Sequence, residues 1–346
     1  MIRSAITFVV LFALLAVTRT PAMETDQFNL SPEPLADIAP EVEAYVAQHV
    51  QTAIETVNTQ IAAHEACVGS ETEPRPKTCG TNKQERSKLD QLRSPDAVAK
   101  AVYDQLGAGS SFITKTGTWL NSHKFEHGPS RYKAPYTESI YWERPINYAT
   151  LSPTIRMYGV EFGTDKLDHL FQQGYTYYRK YTAALKEGKT EAEAIKAAVD
   201  YGRTSENLFF GYAVSGVYSN ADLAANIAGL HFYKGLANDA HLADGAWRLN
   251  GAQPSRLQPY LTEHLNEAYN PSNYLPLLFP LIKSAVKTRA CSKWHAAFPT
   301  LTADALKVRS AALTTWKGLE YGYKQTARQP HLADLCFAGP SEPMKR

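Results

Sequence analysis

The sequence contains no Cys-x-x-Cys pair, internal repeat or low-complexity tract, and no second long apolar run after its first residues. Each absence narrows the field. Without Cys-x-x-Cys, a cysteine-based metal site lacks its usual signature. Lysine and arginine total 36 against 34 aspartates and glutamates, for a net charge of +2. That balance provides no basic field for nucleic acid, so no nucleic-acid partner is expected. Leu275 to Leu281 is apolar, but Pro276 and Pro280 interrupt it and Lys283 follows. It is therefore not read as a membrane span. No cysteine lies near Ala22, so an N-terminal lipid anchor has no acceptor.

The first residues suggest an address. Arg3 precedes an apolar run from Ala5 to Val17, broken only by Thr7, and Thr20-Pro21-Ala22 offers a small-residue cleavage site. The run is shorter than the roughly 20 residues a spanning helix needs, so residues 1–22 are read as a cleaved signal peptide. The expected location is the periplasm or the exterior. Four cysteines suit an oxidising compartment. Of the three pairings open to them, Cys67–Cys79 and Cys291–Cys336 are expected. The first is local, and the second clips the tail to the body.

Residues 23–40 read as an extended, proline-rich arm lying on the body, and 41–346 as a single helical domain. Val42, Val46, Val50, Ile54, Val57 and Ile61 recur at helical spacing after Pro40. Ser94-Pro95-Asp96 opens a second helix that ends at Gly107. Residues 110–154 have no lasting period and read as long aromatic loops. Helices are then expected over Asp165–Leu185, from the Thr190–Glu193 capping box to about Phe210, over Ser219–Leu236, Leu257–Ala268 and Thr302–Tyr323. The expected fold class is all-α, a multi-helix globular domain with long aromatic-rich loops.

Chemistry concentrates between Gly163 and Gly229. Asp165, Asp168, His169 and Gln172 fall at i, i+3, i+4 and i+7 and would share a helix face. Glu206 follows on the next helix, and Asp222 and Asn226 are i, i+4 on a third. The candidate site residues are Asp165, Lys166, Asp168, His169, Glu206, Asp222 and Asn226. One set of roles is structural. Thr164 would cap its helix, Asp165 and Asp168 would complement the helix dipole, and Asp222 would be the N3 member of a Ser219 capping box. Another is a divalent-metal site, with His169, Glu206 and Asp222 as ligands. A third is acid–base chemistry at His169 with an aspartate partner, with Lys166 and Arg203 holding a phosphate or carboxylate. His123 and His127, with Glu126, form a weaker candidate metal group.

Asp165-Lys166-x-x-His169, then Glu206, then Asp222-x-x-x-Asn226-x-x-Gly229 resembles a family of predicted periplasmic proteins of unknown function. It is more distantly similar to VanZ-like membrane proteins. Gly211 and Ser215 match the Gly…Ser stretch before the last motif. The resemblance covers about 156–233. It implies an envelope location and a three-helix core, and supplies no activity. Two functions are carried forward. One is a hydrolase acting on envelope lipid or glycan. The other is a non-catalytic envelope binding or scaffold protein whose polar cluster is structural.

Overall fold

The computed structural model describes residues 24–69, 77–110, 113–208, 211–250 and 256–338. The signal-peptide assignment, 1–22, lies outside these residues. The first helix, α1, spans Ala39–Gly69 and buries the predicted valine and isoleucine stripe. Next come α2, Asn82–Leu92, and α3, Pro95–Leu106, which Ser94 caps and Pro95 opens as the sequence suggests. The sequence reading assigns no element to Asn82–Leu92. Its face is almost wholly polar, and only Leu89 and an unusual buried Glu85 anchor it. A capping box at Thr81 and Gln84 starts it.

The stretch 110–154 is mostly loop, as expected, with two short helices, α4 at Lys115–Ser122 and α5 at Pro145–Ala149. A two-stranded ribbon, β1 at Gly109–Ser110 and β2 at Ile113–Thr114, precedes α4. The hairpin of β3, Thr154–Met157, and β4, Val160–Gly163, follows α5. Its turn residues, Tyr158 and Gly159, both have positive φ (53° and 77°), the backbone twist that two-residue hairpin loops favour. The hairpin feeds directly into α6, one continuous helix. It is built from an α segment Thr164–Asp168, a π turn His169–Gln173 and a second α segment Gly174–Lys186. Helix α7 spans Glu191–Leu208, opened by the Thr190–Glu193 capping box. Strand β5, Val217–Tyr218, precedes α8, Asn220–Asp239.

The C-terminal third departs further from expectation. After the hairpin β6, Ala240–Ala243, and β7, Ala246–Leu249, the predicted helix Leu257–Ala268 reduces to a 3₁₀ turn, Glu263–Leu265. Strand β8, Asn273–Tyr274, pairs antiparallel with β5. Helix α9 then runs through Phe279–Ala285, a π turn Val286–Ala290 and Cys291–Ala297. Its Pro280 had been read as a breaker. It sits in the first turn, where the missing N–H is harmless. Thr302 caps α10, which ends at Ala312, well short of Tyr323, and α11 spans Leu332–Leu335. The fold is therefore mostly helical, with four two-stranded antiparallel ribbons among the described residues. No described helix is long and apolar enough to cross a membrane.

Two hydrophobic cores result. The larger joins α1, α3, α6, α7 and α8. The smaller surrounds Trp294 of α9 and takes Phe28 from the N-terminal arm. The chain passes between the cores at Val217–Tyr218 and again between Leu265 and Ala268. Polar side chains near those crossings lie at the seam.

Both predicted disulfides are formed, with Cα separations of 5.4 Å for Cys67–Cys79 and 5.0 Å for Cys291–Cys336. They close loops of 12 and 45 residues. Loop-closure entropy then makes the longer bridge worth about 1 kcal/mol more. Denaturant unfolding of the two bridge-less double serine variants should show the larger loss for Cys291/Cys336. Equal losses would show that the entropic term does not govern here.

Candidate functional site

The site is built where α6 and α8 cross. Gly174 and Gly229 meet backbone to backbone, and a Cβ on Gly229 would lie 2.1 Å from the Leu170 carbonyl oxygen. This close crossing sets Asp222 and Asn226 opposite Lys166 and His169. Ala221, Ala225 and Gly229 give α8 a small-residue face that lets the backbones approach, with Gly174 as the partner. The π turn at His169–Gln173 adds a residue to the turn and shifts the helix register. The Tyr233 hydroxyl donates to the Phe171 carbonyl in that turn at 2.8 Å. π turns of this kind recur at functional sites.

Lys166 is the centre. It is fully buried, and its Nζ lies 2.6 Å from each of Asp165 Oδ2, Asp222 Oδ1 and Glu267 Oε1. An ammonium has three donors, and all three are used. The second Asp222 oxygen lies 3.3 Å from His169 Nε2, while His169 Nδ1 is 3.0 Å from Asn226 Oδ1. Both ring nitrogens therefore face acceptor oxygens. An imidazolium satisfies both, whereas a neutral ring satisfies one and needs the Asn226 amide turned.

The arm closes the cluster from the other side. The Thr25 hydroxyl donates to Asp165 Oδ1 at 2.8 Å, and the Thr25 N–H to Glu267 Oε1 at 3.3 Å. The Glu267 N–H donates to Gln27 Oε1 at 2.7 Å. Glu24 accepts from the Ser215 hydroxyl at 3.3 Å, and its other oxygen, Oε2, is buried without a partner. Gly163 makes the approach feasible, because a Cβ there would stand 1.8 Å from Thr25 Oγ1.

Five of the predicted residues, Asp165, Lys166, His169, Asp222 and Asn226, are joined directly by these contacts. Glu206 stands beside them and accepts the Ser219 N–H at 3.4 Å. That bond corrects the capping-box expectation. Ser219 does cap α8 through the Asp222 N–H, at 3.1 Å, but the reciprocal acceptor for the Ser219 N–H is Glu206. The Asp222 carboxylate is thereby released to Lys166 and His169. Thr164 is not the cap of α6 either. Gly163 holds that position without a side-chain bond.

Asp168 does not join the cluster. Its Oδ1 accepts from the N–H (3.1 Å) and hydroxyl of Thr114, at the start of α4. Residues i and i+3 differ by about 60° around a helix, and a cap-like pair of donors on the α4 side captures Asp168. Arg203 pairs with Glu320, so it holds no anion with Lys166. His123 binds Glu41 at 3.1 Å and stacks on Trp119, and Glu126 uses its own N–H on Glu41, so these residues and His127 do not form a ligand set.

The predicted metal ligands His169, Glu206 and Asp222 are not the group whose ligand atoms converge. Among the described residues, Asp165, Asp222 and Glu267 offer carboxylate oxygens within 4.8 Å of one another. The point between them is taken by Lys166 Nζ, so the ammonium stands where a cation would. Sequence reasoning missed Glu24, Thr25 and Glu267. The first two fall in the arm and the third in an irregular segment, and none has a periodic partner in the sequence.

The carboxylates divide by environment. Burial alone would raise Asp165, but the adjacent Lys166 outweighs it and holds the group below its ordinary value. Burial opposes the Lys166 charge too, yet Asp165, Asp222 and Glu267 together hold its pKa well above the usual lysine value. Glu24 and Glu206 are pushed well above the carboxylate range, by burial first and neighbouring carboxylates second. Burial also pushes Glu267 up to about 8, even though Lys166 pulls the other way. Asp168 is raised to about 7 by burial, against the Thr114 bonds.

No family model, curated protein or solved structure matches the chain.

An acid whose pKa rises on folding adds stability below its unfolded value, and that stability is lost as pH climbs through the folded value. For Glu267 the window runs from about 4.5 to about 8. Half-buried His231, His264 and His331 have values lowered by desolvation. Their contribution is present above about 6.5 and lost as pH falls, so they oppose the trend only below that point. Thermal stability should therefore fall between pH 6.5 and 8, and the slope should flatten in Glu267→Gln. A melting temperature that rises across that window would contradict the assignment.

Proposed function

We propose that this chain is a non-catalytic binding or scaffold protein of the cell envelope, in which the Lys166 cluster is a structural knot. The observation that carries the reading is saturation. Every Lys166 donor is spent on a carboxylate, and both His169 nitrogens face acceptors. A general base needs a free lone pair within reach of a substrate proton, and a nucleophilic lysine needs a neutral, accessible amine. Neither condition suits these side chains. Three clefts of about 330, 310 and 540 Å³ are lined by other residues. The envelope placement is supported by the export signal read from the sequence, the two disulfides, and the VanZ-like motif pattern. A solvated lipid or glycan of the envelope is the expected partner class.

A second reading, an envelope hydrolase using His169 and Asp222, has one observation in its favour. The His169 side chain keeps 17 % of its surface exposed, at the first residue of the π turn. His169→Gln separates the two. It preserves a polar contact to Asn226 and removes the ionisable ring. Under the structural reading, melting temperature and complementation of an envelope defect should fall together. A variant with wild-type stability and abolished complementation would favour the hydrolase.

A further inference from the structure

The β3–β4 hairpin has one buried face and one that is not. Ile155, Met157 and Phe162 are fully buried in the larger core, so strand alternation turns Thr154, Arg156 and Glu161 the other way. These three line the cleft of about 330 Å³, together with Tyr132, Tyr269 and Trp294. That volume is at the small end for ligand sites, which run from about 300 to 1,000 Å³.

Arg156 and Glu161 are direct cross-strand neighbours in the register. Opposite charges so placed ordinarily pair. Here they do not. Among the described residues, neither side chain makes a hydrogen bond or ion pair, and Arg156 Nε is buried without a partner. The other charges nearby are spent. Arg309 forks onto Glu263, with Nε to Oε2 at 2.7 Å, and lies 3.4 Å over the Tyr269 ring. Asp37 accepts from the N–H groups of Ala39 and Gly159. The walls are held in place as well. Gln27 and Asn266 both donate to the Glu161 carbonyl at 2.9 Å, and Trp294 Nε1 donates to the Phe28 carbonyl at 2.8 Å. The cleft thus presents one unspent cation and one unspent anion against a fixed aromatic wall.

We infer that this cleft binds a small zwitterion bearing an apolar or aromatic group, of the α-amino acid class. Arg156 takes the carboxylate in a two-pronged contact, Glu161 takes the ammonium, and the side group lies against the partly exposed Tyr132 and Tyr269. The inference rests on the binding-protein reading above, and for this cleft it puts an amino acid in place of the envelope lipid or glycan named there. Burial raises Glu161 from its ordinary value, with Arg156 opposing, so an arriving ammonium would find a carboxylate that gains from being paired.

The test is calorimetric titration of the full mature chain with phenylalanine of either hand, 3-phenylpropionate and phenethylamine. The expected result is saturable binding of a phenylalanine enantiomer, with both half-ligands at least about tenfold weaker, since a charged contact left unpaired on burial costs that much. Arg156→Gln and Glu161→Gln should each weaken phenylalanine at least about tenfold while keeping the wild-type melting temperature, because neither residue has a partner to lose. Binding of 3-phenylpropionate as tight as phenylalanine would remove Glu161 and overturn the zwitterion assignment. So would the absence of binding by any probe, or binding indifferent to Arg156→Gln. Those outcomes leave the His169→Gln result untouched, so a failed ligand and a failed structural reading can be told apart.

Discussion

One buried ammonium organises this protein. Lys166 joins carboxylates from its own helix, from α8 and from the loop after Leu265, and through Asp165 and Glu267 it reaches Thr25 of the arm. Isolated, such a charge would be strongly disfavoured in a protein interior. Surrounded by three acceptors at ion-pair distance, it becomes a constraint. Any displacement of α8, the arm or the Glu267 loop strands a charge away from water. The energetic penalty for breaking one member exceeds what the intact group adds over a well-packed apolar replacement. The cluster is therefore better understood as specifying which segments meet than as a large source of stability.

That role fits its position. The two hydrophobic cores are non-directional and would tolerate small slips between them. The polar seam does not, because each hydrogen bond has a narrow geometry. Gly163, Gly174 and Gly229 remove the side chains that would hold the segments apart, and the cluster fixes where they stop. Burial and neighbouring carboxylates shift Glu24 and Glu206 toward the neutral form, which eases the crowding of five carboxyl groups around one lysine. The same seam backs the Arg156 cleft, since Gln27 and Asn266 connect its wall to the Glu267 segment.

Much of this was legible in the sequence, for local reasons. Asp165, Lys166, His169, Asp222 and Asn226 lie on two helices, and their spacing and the small residues of α8 give both the faces and the crossing. The long α1 stripe, the α3 start and the capping box of α7 are likewise local signals. What was not legible depends on long separations or on context. Glu267 and Thr25 meet from opposite ends of the chain through loops without a period. Asp168 obeys the same spacing as its neighbours but is captured by Thr114, which no helical pattern predicts. Pro280 reads as a breaker until its place in a first turn is known, and Leu257–Ala268 has the apolar content of a helix while its backbone is irregular apart from the turn Glu263–Leu265.

The central claim is that the Lys166 cluster is a structural knot whose members stand or fall together. Denaturant unfolding of Lys166→Met beside a fourfold variant, Lys166→Met with Asp165→Asn, Asp222→Asn and Glu267→Gln, tests it most directly. The account predicts that the single change costs about 3–5 kcal/mol and that neutralising its partners restores most of the loss. A single change that costs little, or a fourfold variant that fails to recover, would contradict it.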